Sequence, residues 1–301
     1  MSEIEDLNAQ FGISNQLVFS TEPDRLTVAN INNQHASAAI ALQGGHLMTW
    51  TPRGEEPVIW LSPAAKRAPG KSIRGGVPIC WPWFGGHATE TSFPAHGFAR
   101  TTLWQVIESS TLADGATQLK LELTPTDMPQ QQWPHATTAQ CIITVGHTLQ
   151  IELITSNGSE DEITISEALH TYFAVSDVRN ISVDGLDRCH YLDKVDAFKE
   201  KQQAGAITFS SEVDRVYLDT QADCIIHDPG LSRQIRISKA GSDSTVIWNP
   251  WIEKAEQMAD LGDNGYLNMV CVESANAAKN SVTLAAGAEH SLKVCYSLEK
   301  E

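Results

Sequence analysis

The chain reads as an all-β protein: one large antiparallel domain with few and short helices. Three observations carry that reading. Short runs of alternating apolar and polar residues recur along the sequence with turn residues between them, and apolar stripes of helical spacing are scarce. Strand-like patterning continues from about Leu17 to Leu298, with no internal repeat, low-complexity tract or linker of distinct composition. So many strands in one unit imply two stacked sheets or a closed barrel, because a single sheet of that size curls or splits. The domain is expected to span 1–301, with an ordered core over about 17–298.

Gln118-Leu119-Lys120-Leu121-Glu122-Leu123 alternates at every position, and the Asp114-Gly115 pair before it supplies the positive-φ residues of a hairpin turn. Runs 141–145, 149–155 and 162–170 are separated by Gly146-His147 and Asn157-Gly158-Ser159, and read as a meander of antiparallel hairpins. Further strands are expected at 181–183, 206–209, 224–227, 234–238, 245–248, 268–273 and 292–297. The best helical segment is 253–261, rich in Ala, Glu, Gln and Met, with Gly262 placed to stop it.

The 37 Asp and Glu residues outnumber 21 Lys and Arg, for a formal net charge of −16. A nucleic-acid binder needs a broad basic face to neutralise phosphates, and an anionic membrane surface asks for the same. No segment approaches the ~18 apolar residues that span a bilayer. The start, Met1-Ser2-Glu3-Ile4-Glu5-Asp6, lacks the basic and apolar regions of a signal peptide. A soluble, cytoplasmic monomer is expected. The six cysteines are far apart, with no Cys-x-x-Cys pair, and read as reduced core thiols.

Against this acidic background, residues 57–89 contain no Asp or Glu but do contain Lys66, Arg67, Lys71 and Arg74, and Arg100 follows shortly. In so acidic a chain an anion must be held by a short-range cluster of charged donors, with Arg74 and Arg100 the leading candidates. Gly75-Gly76 and Gly85-Gly86 have neither the spacing nor the strand-to-helix context of a nucleotide-binding loop. Pro78, Pro82 and Pro250 punctuate the aromatic residues Trp81, Trp83, Phe84, Trp248 and Trp251, so these segments cannot pair as interior strands. Their rings either offer platforms to sugar faces or plug the core.

Two candidates carry proton chemistry. In the run 162–170, Ile163, Ile165 and Leu169 share one face, so His170 emerges on the other beside Ala168. It is either a general acid in an apolar cleft or a hydrogen-bonded core histidine. Glu273 ends the apolar run 268–273, and is either a strand end in solvent or a base in a pocket, where burial would raise its pKa.

Taken together, six blocks in order resemble the hexose-6-phosphate mutarotases of the aldose 1-epimerase superfamily. They are Ile73-Arg74-Gly75-Gly76-Val77-Pro78-Ile79-Cys80-Trp81-Pro82-Trp83-Phe84-Gly85, His96-Gly97-Phe98-Ala99-Arg100, Leu169-His170-Thr171-Tyr172-Phe173, Asp214-Arg215-Val216-Tyr217, Val246-Ile247-Trp248-Asn249-Pro250-Trp251 and Val270-Cys271-Val272-Glu273. The resemblance implies a galactose-mutarotase-type β-sandwich that interconverts sugar anomers without metal or cofactor. It implies Glu273 as base at the anomeric hydroxyl and His170 as acid at the ring oxygen. It also implies that His96 and Asp214 contact the sugar, and that Arg74 and Arg100 hold the phosphate of a phosphosugar substrate. Two departures stand out: Ala95 where many relatives have Gln, and Ser274-Ala275-Asn276 in place of a Pro-Gly turn after the base.

Overall fold

Alternation fixes which side of each strand is buried. In the computed structural model, which describes residues 3–300, strands Thr117–Leu123 and Thr137–Val145 bury every second residue. They belong to an eight-stranded antiparallel sheet in the order Ser182–Asp184, Cys224–Asp228, Arg233–Ala240, Glu289–Lys300, Leu149–Asn157, Thr137–Val145, Thr117–Leu123, Gln105–Thr111. A second eight-stranded sheet runs Lys199–Gln202, His190–Asp193, Val213–Tyr217, Ser244–Asn249, Met269–Asn276, Glu167–Leu169, Ile79–Cys80, with Tyr172–Ala174 also paired to Met269–Asn276. One apolar cluster takes Leu119, Ile143, Ile151 and Ile235 from the first sheet and Ile247, Val270, Val272 and Phe173 from the second, so the two sheets stack. Phe173 and Tyr296 meet edge to face across the stack at 5.0 Å. A four-stranded sheet of Leu17–Thr21, Thr27–Asn32, Ala36–Ala41 and His46–Pro52 extends the fold.

The Asp114-Gly115 hairpin forms, with the Leu112 amide donating to the Ala116 carbonyl, but of the two expected positive-φ residues only Gly115 is one, at φ 89°. Several expectations need correction. The run 162–170 is two strands, Ile163–Ile165 and Glu167–Leu169, and neither pairs with Leu149–Asn157, so the meander stops at that strand. The cause is at Ser166, whose backbone amide donates to the Pro82 carbonyl while its hydroxyl accepts from the Phe84 amide, so the segment changes sheets there. Residues 206–209 form no strand; Ile207 makes an isolated bridge to Val183. The expected helix 253–261 is Trp251–Glu256, because the segment beyond it closes into successive turns and the Asp260 carbonyl is held by Ser62 Oγ at 2.7 Å. Gly262 does sit at φ 83°. An unexpected helix, Glu3–Phe11, lies before the expected core and packs Leu7 and Phe11 against it. The last strand reaches Lys300.

The most consequential correction concerns Glu273. The strand does not end there but runs Met269–Asn276, buried throughout, with Thr245 opposite Ser274 and Ser244 opposite Ala275. With no Pro-Gly turn to stop it, the chain keeps pairing. Ser274-Ala275-Asn276 is therefore strand, and Glu273 is a mid-strand carboxylate.

Candidate active site

Cross-strand register builds the floor of the site. Val216, Val246 and Glu273 lie opposite one another, as do Asp214, Trp248 and Cys271, so these six side chains share one sheet face. Ile247 and Val272 point the other way, into the main core. On the remaining side, Met269–Asn276 has two short partners, Tyr172–Ala174 beside its first half and Glu167–Leu169 beside its second. The interruption between them carries His170 and Thr171. There the His170 amide donates to the Pro78 carbonyl at 3.0 Å, and the Thr171 amide folds back on the Leu169 carbonyl at 2.9 Å. This local break places the imidazole beside the carboxylate: His170 Nδ1 is 3.4 Å from Glu273 Oε1.

All six residues singled out in the sequence line one cleft of about 280 Å³: Arg74, His96, Arg100, His170, Asp214 and Glu273. Phe84, Val246 and Trp248 complete its apolar wall, and Lys194 and Lys254 add two cations that the sequence did not mark. Trp248, expected outside any interior strand, pairs within one, opposite Asp214 on one side and Cys271 on the other, because Pro250 lies beyond its end; the aromatic residues divide between the two roles left open above. Trp81 and Trp83 plug the core, whereas Trp248 meets the His170 ring edge to face at 5.9 Å. Tyr172 stacks on His170 at 5.0 Å with 8° between the planes.

Glu273 is 1% exposed, and burial, helped by the nearby Asp214 charge, raises its pKa well above the ordinary carboxylate value. Lys194 and Arg100 act the other way on it. Burial, then the neighbouring His96, Arg100 and Arg74, pushes His170 well below the ordinary imidazole value. His170 Nδ1 and Glu273 Oε2 are buried without a hydrogen-bond partner among the described residues, and the 3.4 Å contact lacks hydrogen-bond geometry. Such orphaned atoms are costly, and they concentrate where a ligand completes the network.

His96 sits at φ 67°, in the left-handed region, beside Gly97 at φ 71°. A Cβ at 97 would lie 2.0 Å from the Trp81 carbonyl oxygen, so only glycine lets this loop approach the strand. Burial and the surrounding cations lower the His96 pKa to about 3. Its neutral ring accepts from the Gly85 amide on Nδ1 at 3.3 Å, which leaves the proton on Nε2.

The cations differ in their engagement. Arg74 Nε pairs with Asp260 at 3.2 Å and its Nη1 donates to Tyr172 Oη at 3.0 Å. Lys194 pairs with Asp214 at 2.9 Å, and Lys254 with Glu212 at 2.7 Å. Arg100 donates only to the Ala95 carbonyl, at 2.8 Å, and is in no ion pair among the described residues. Of the other window cations, Arg67 pairs with Asp24 at 2.9 Å, and Lys66 and Lys71 do not line the cleft. Among the described residues, no helix is long and apolar enough to cross a membrane.

The fold is an antiparallel β-sandwich with a cleft in which a buried carboxylate and an imidazole meet polar and cationic side chains. The sequence profile of the aldose 1-epimerase family matches residues 27–297. A protein of Escherichia coli provisionally named glucose-6-phosphate 1-epimerase is 41% identical over 258 residues, 85% of each chain. One of Cenchrus ciliaris with the same provisional name is 35% identical over 85% of this chain and 79% of its own. A crystal structure of a provisionally named mutarotase from Salmonella typhimurium superposes with a TM-score of 0.90 at 34% identity, over 100% of both chains. The chain belongs to the aldose 1-epimerase family, whose enzymes are isomerases that interconvert sugar anomers.

Proposed function

We propose that the chain interconverts the α and β anomers of an aldohexose 6-phosphate, glucose 6-phosphate in the first place, with Glu273 and His170 as the proton-transfer pair. The observation that carries this reading is the convergence in one cleft of the buried 3.4 Å pair with Arg74 and Arg100. Ring opening requires the anomeric hydroxyl to lose a proton and the ring oxygen to gain one. Glu273 takes the first and His170 gives the second; the aldehyde turns over, and the reverse transfers close the ring on its other face. Glu273 and His170 together hold one proton, whether both are neutral or both charged. Burial raises the carboxyl and lowers the imidazole, so the shared proton is favoured on Glu273, and the reactive arrangement of carboxylate with imidazolium is reached when that proton passes to His170.

His96 offers its Nε2–H to a sugar oxygen, and Asp214 accepts from sugar hydroxyls while Lys194 balances its charge. Arg100, free of any carboxylate, is the readiest donor to the phosphate, with Arg74 beside it. The cleft lies near the lower end of the range for small-molecule sites, the size class of a single sugar ring with a substituent.

A second reading, a neutral aldose as substrate, is favoured by one observation: three of the four cleft cations already hold carboxylates. Anomer exchange measured by NMR on glucose, galactose, glucose 6-phosphate and mannose 6-phosphate separates the two. Phosphosugars turning over faster by about tenfold or more support the first reading; equal rates on glucose and its phosphate favour the second.

A further inference from the structure

Cys271 has no part in the proton transfers proposed above, yet it is two residues from Glu273 on the same strand and the same face. The ligand atoms of His170, Cys271 and Glu273 all lie within 4.8 Å of one another. Two of these groups carry buried atoms with no partner among the described residues, His170 Nδ1 and Glu273 Oε2, while the other carboxylate oxygen, Oε1, is the one that lies 3.4 Å from Nδ1.

We propose that His170 Nδ1, Cys271 Sγ and a Glu273 carboxylate oxygen form a three-ligand site for a borderline divalent metal ion, Zn²⁺ above all, and that this ion switches the catalyst off. Tetrahedral zinc sets nitrogen and oxygen ligands about 3.3 Å apart and a nitrogen and a sulfur about 3.6 Å apart. The imidazole–carboxylate contact of 3.4 Å already has the first of these separations. The thiol must close in on the other two ligand atoms, and two protons, its own and the one that His170 and Glu273 share, leave to solvent as the three metal bonds form. Three protein ligands of mixed N, S and O character leave a fourth position open to water from the cleft. They select against Mg²⁺ and Ca²⁺, which take oxygen ligands in greater number. Inhibition, as distinct from binding, rests on the reading of His170 and Glu273 as the proton-transfer pair: the ion takes the lone pairs that the reaction uses.

The test titrates chelator-treated full-length protein with Zn²⁺ and, for its spectrum, Co²⁺. Anomer exchange is followed by NMR in parallel. The expected result is one ion per chain, a thiolate-to-cobalt charge-transfer band, and exchange that falls with Zn²⁺ and recovers on chelation. Cys271→Ser should keep its exchange activity yet lose zinc affinity by more than the about tenfold that removing an outer-shell partner costs. Cys271→Ala serves if the serine variant misfolds. Zinc held equally by wild type and both variants overturns the site, as does a cobalt complex without the charge-transfer band. Zinc binding that depends on Cys271 but leaves exchange untouched upholds the site and overturns the acid–base reading.

Discussion

Two buried carboxylates of the second sheet each meet an imidazole, Glu273 that of His170 and Glu167 that of His290 from the first sheet, and the two pairs behave in opposite ways. Glu167 and His290 approach to 3.0 Å, and Asn276 donates a further hydrogen bond to the same carboxylate oxygen at 3.0 Å. The His290 pKa is raised, first by its hydrogen bond to Glu167, as expected of a charged pair held for structure. Glu273 and His170 stand 3.4 Å apart with no hydrogen bond between them, and burial drives each toward its neutral form. Glu167 Oε2 and Glu273 Oε2 both lack partners, so an orphaned oxygen alone does not separate the pairs. What separates them is the imidazole: His290 is committed to its carboxylate, whereas His170, a residue of the cleft wall, has a buried Nδ1 with no hydrogen-bond partner among the described residues. Residue types and burial alone do not tell the two pairs apart; the uncommitted imidazole in the wall of a cleft does.

Exchanging the carboxylates for amides should break the symmetry most sharply. Glu273→Gln is expected to lower catalysed anomer exchange by roughly 10²–10⁴-fold, the usual worth of one proton-transfer group. A carboxyl whose folded pKa lies above its unfolded value lends stability in acid that is lost as pH rises above about 4.5. The variant should therefore melt higher than wild type at pH 7, with the gap closing toward pH 4. Glu167→Gln should leave exchange within a few-fold of wild type and cost about 2 kcal/mol in urea unfolding, because a charged hydrogen bond becomes a neutral one. A fall in exchange with Glu167→Gln as large as with Glu273→Gln would erase the distinction.

The histidines sharpen it through the sign of their pH dependence. His290 has a raised folded pKa, so its stabilising contribution is complete below about pH 6.5 and fades as pH rises through the folded value. The stability gap between wild type and His290→Asn should accordingly shrink on going from pH 6 to pH 9. His170 has a lowered folded pKa, so stability present above about pH 6.5 is lost as pH falls. Wild type should lose ground to His170→Asn between pH 6.5 and pH 4. Melting curves of the three proteins across that range check both slopes; matching slopes would mean that the two pairs are equivalent.

How much of this was legible in the sequence follows the same division. Period-two alternation exposed those strands of the first sheet that have one core face, such as Thr117–Leu123, and missed Gln105–Thr111, which buries no residue; the Asp114-Gly115 pair marked a hairpin. It failed at 162–170, where Ser166 hands the chain from one partner strand to another through contacts with Pro82 and Phe84, far away in sequence. From its strand alone Glu273 could not be told from a solvated strand end, because its burial depends on partners from 167–174 and 244–249. Resemblance supplied what pattern could not. Lys194 carried no signal: it lies in the acidic turn Asp193-Lys194-Val195-Asp196, which reads as a solvated hairpin tip. Helix Glu3–Phe11 did carry one, the i, i+4 pair Leu7 and Phe11 behind an acidic first turn, and it went unused.

A smaller effect separates the cationic rim from the acid–base floor. Arg100→Ala removes the one cleft cation in no ion pair among the described residues, and should lower kcat/KM for glucose 6-phosphate by roughly 10- to 100-fold, the worth of hydrogen bonds to a charged group. Rates on glucose should be unchanged. An equal loss on both sugars would move Arg100 from the phosphate to the floor.

The smallest expected effect concerns Asp260. Its carboxylate holds Arg74 Nε, and both side chains are about a quarter exposed, at 27% and 26%, so the pair itself is worth no more than about 1 kcal/mol. Asp260→Asn keeps an oxygen to orient the guanidinium but removes a negative charge from beside the arriving phosphate. Stability should change by less than about 1 kcal/mol, and KM for glucose 6-phosphate should fall by about two- to fivefold at low ionic strength, less so in high salt. KM for glucose should not move. A rise in KM confined to the phosphosugar would mean that the Asp260 charge is needed to hold Arg74 in place, and Arg74 would then join His290 among the groups committed to structure.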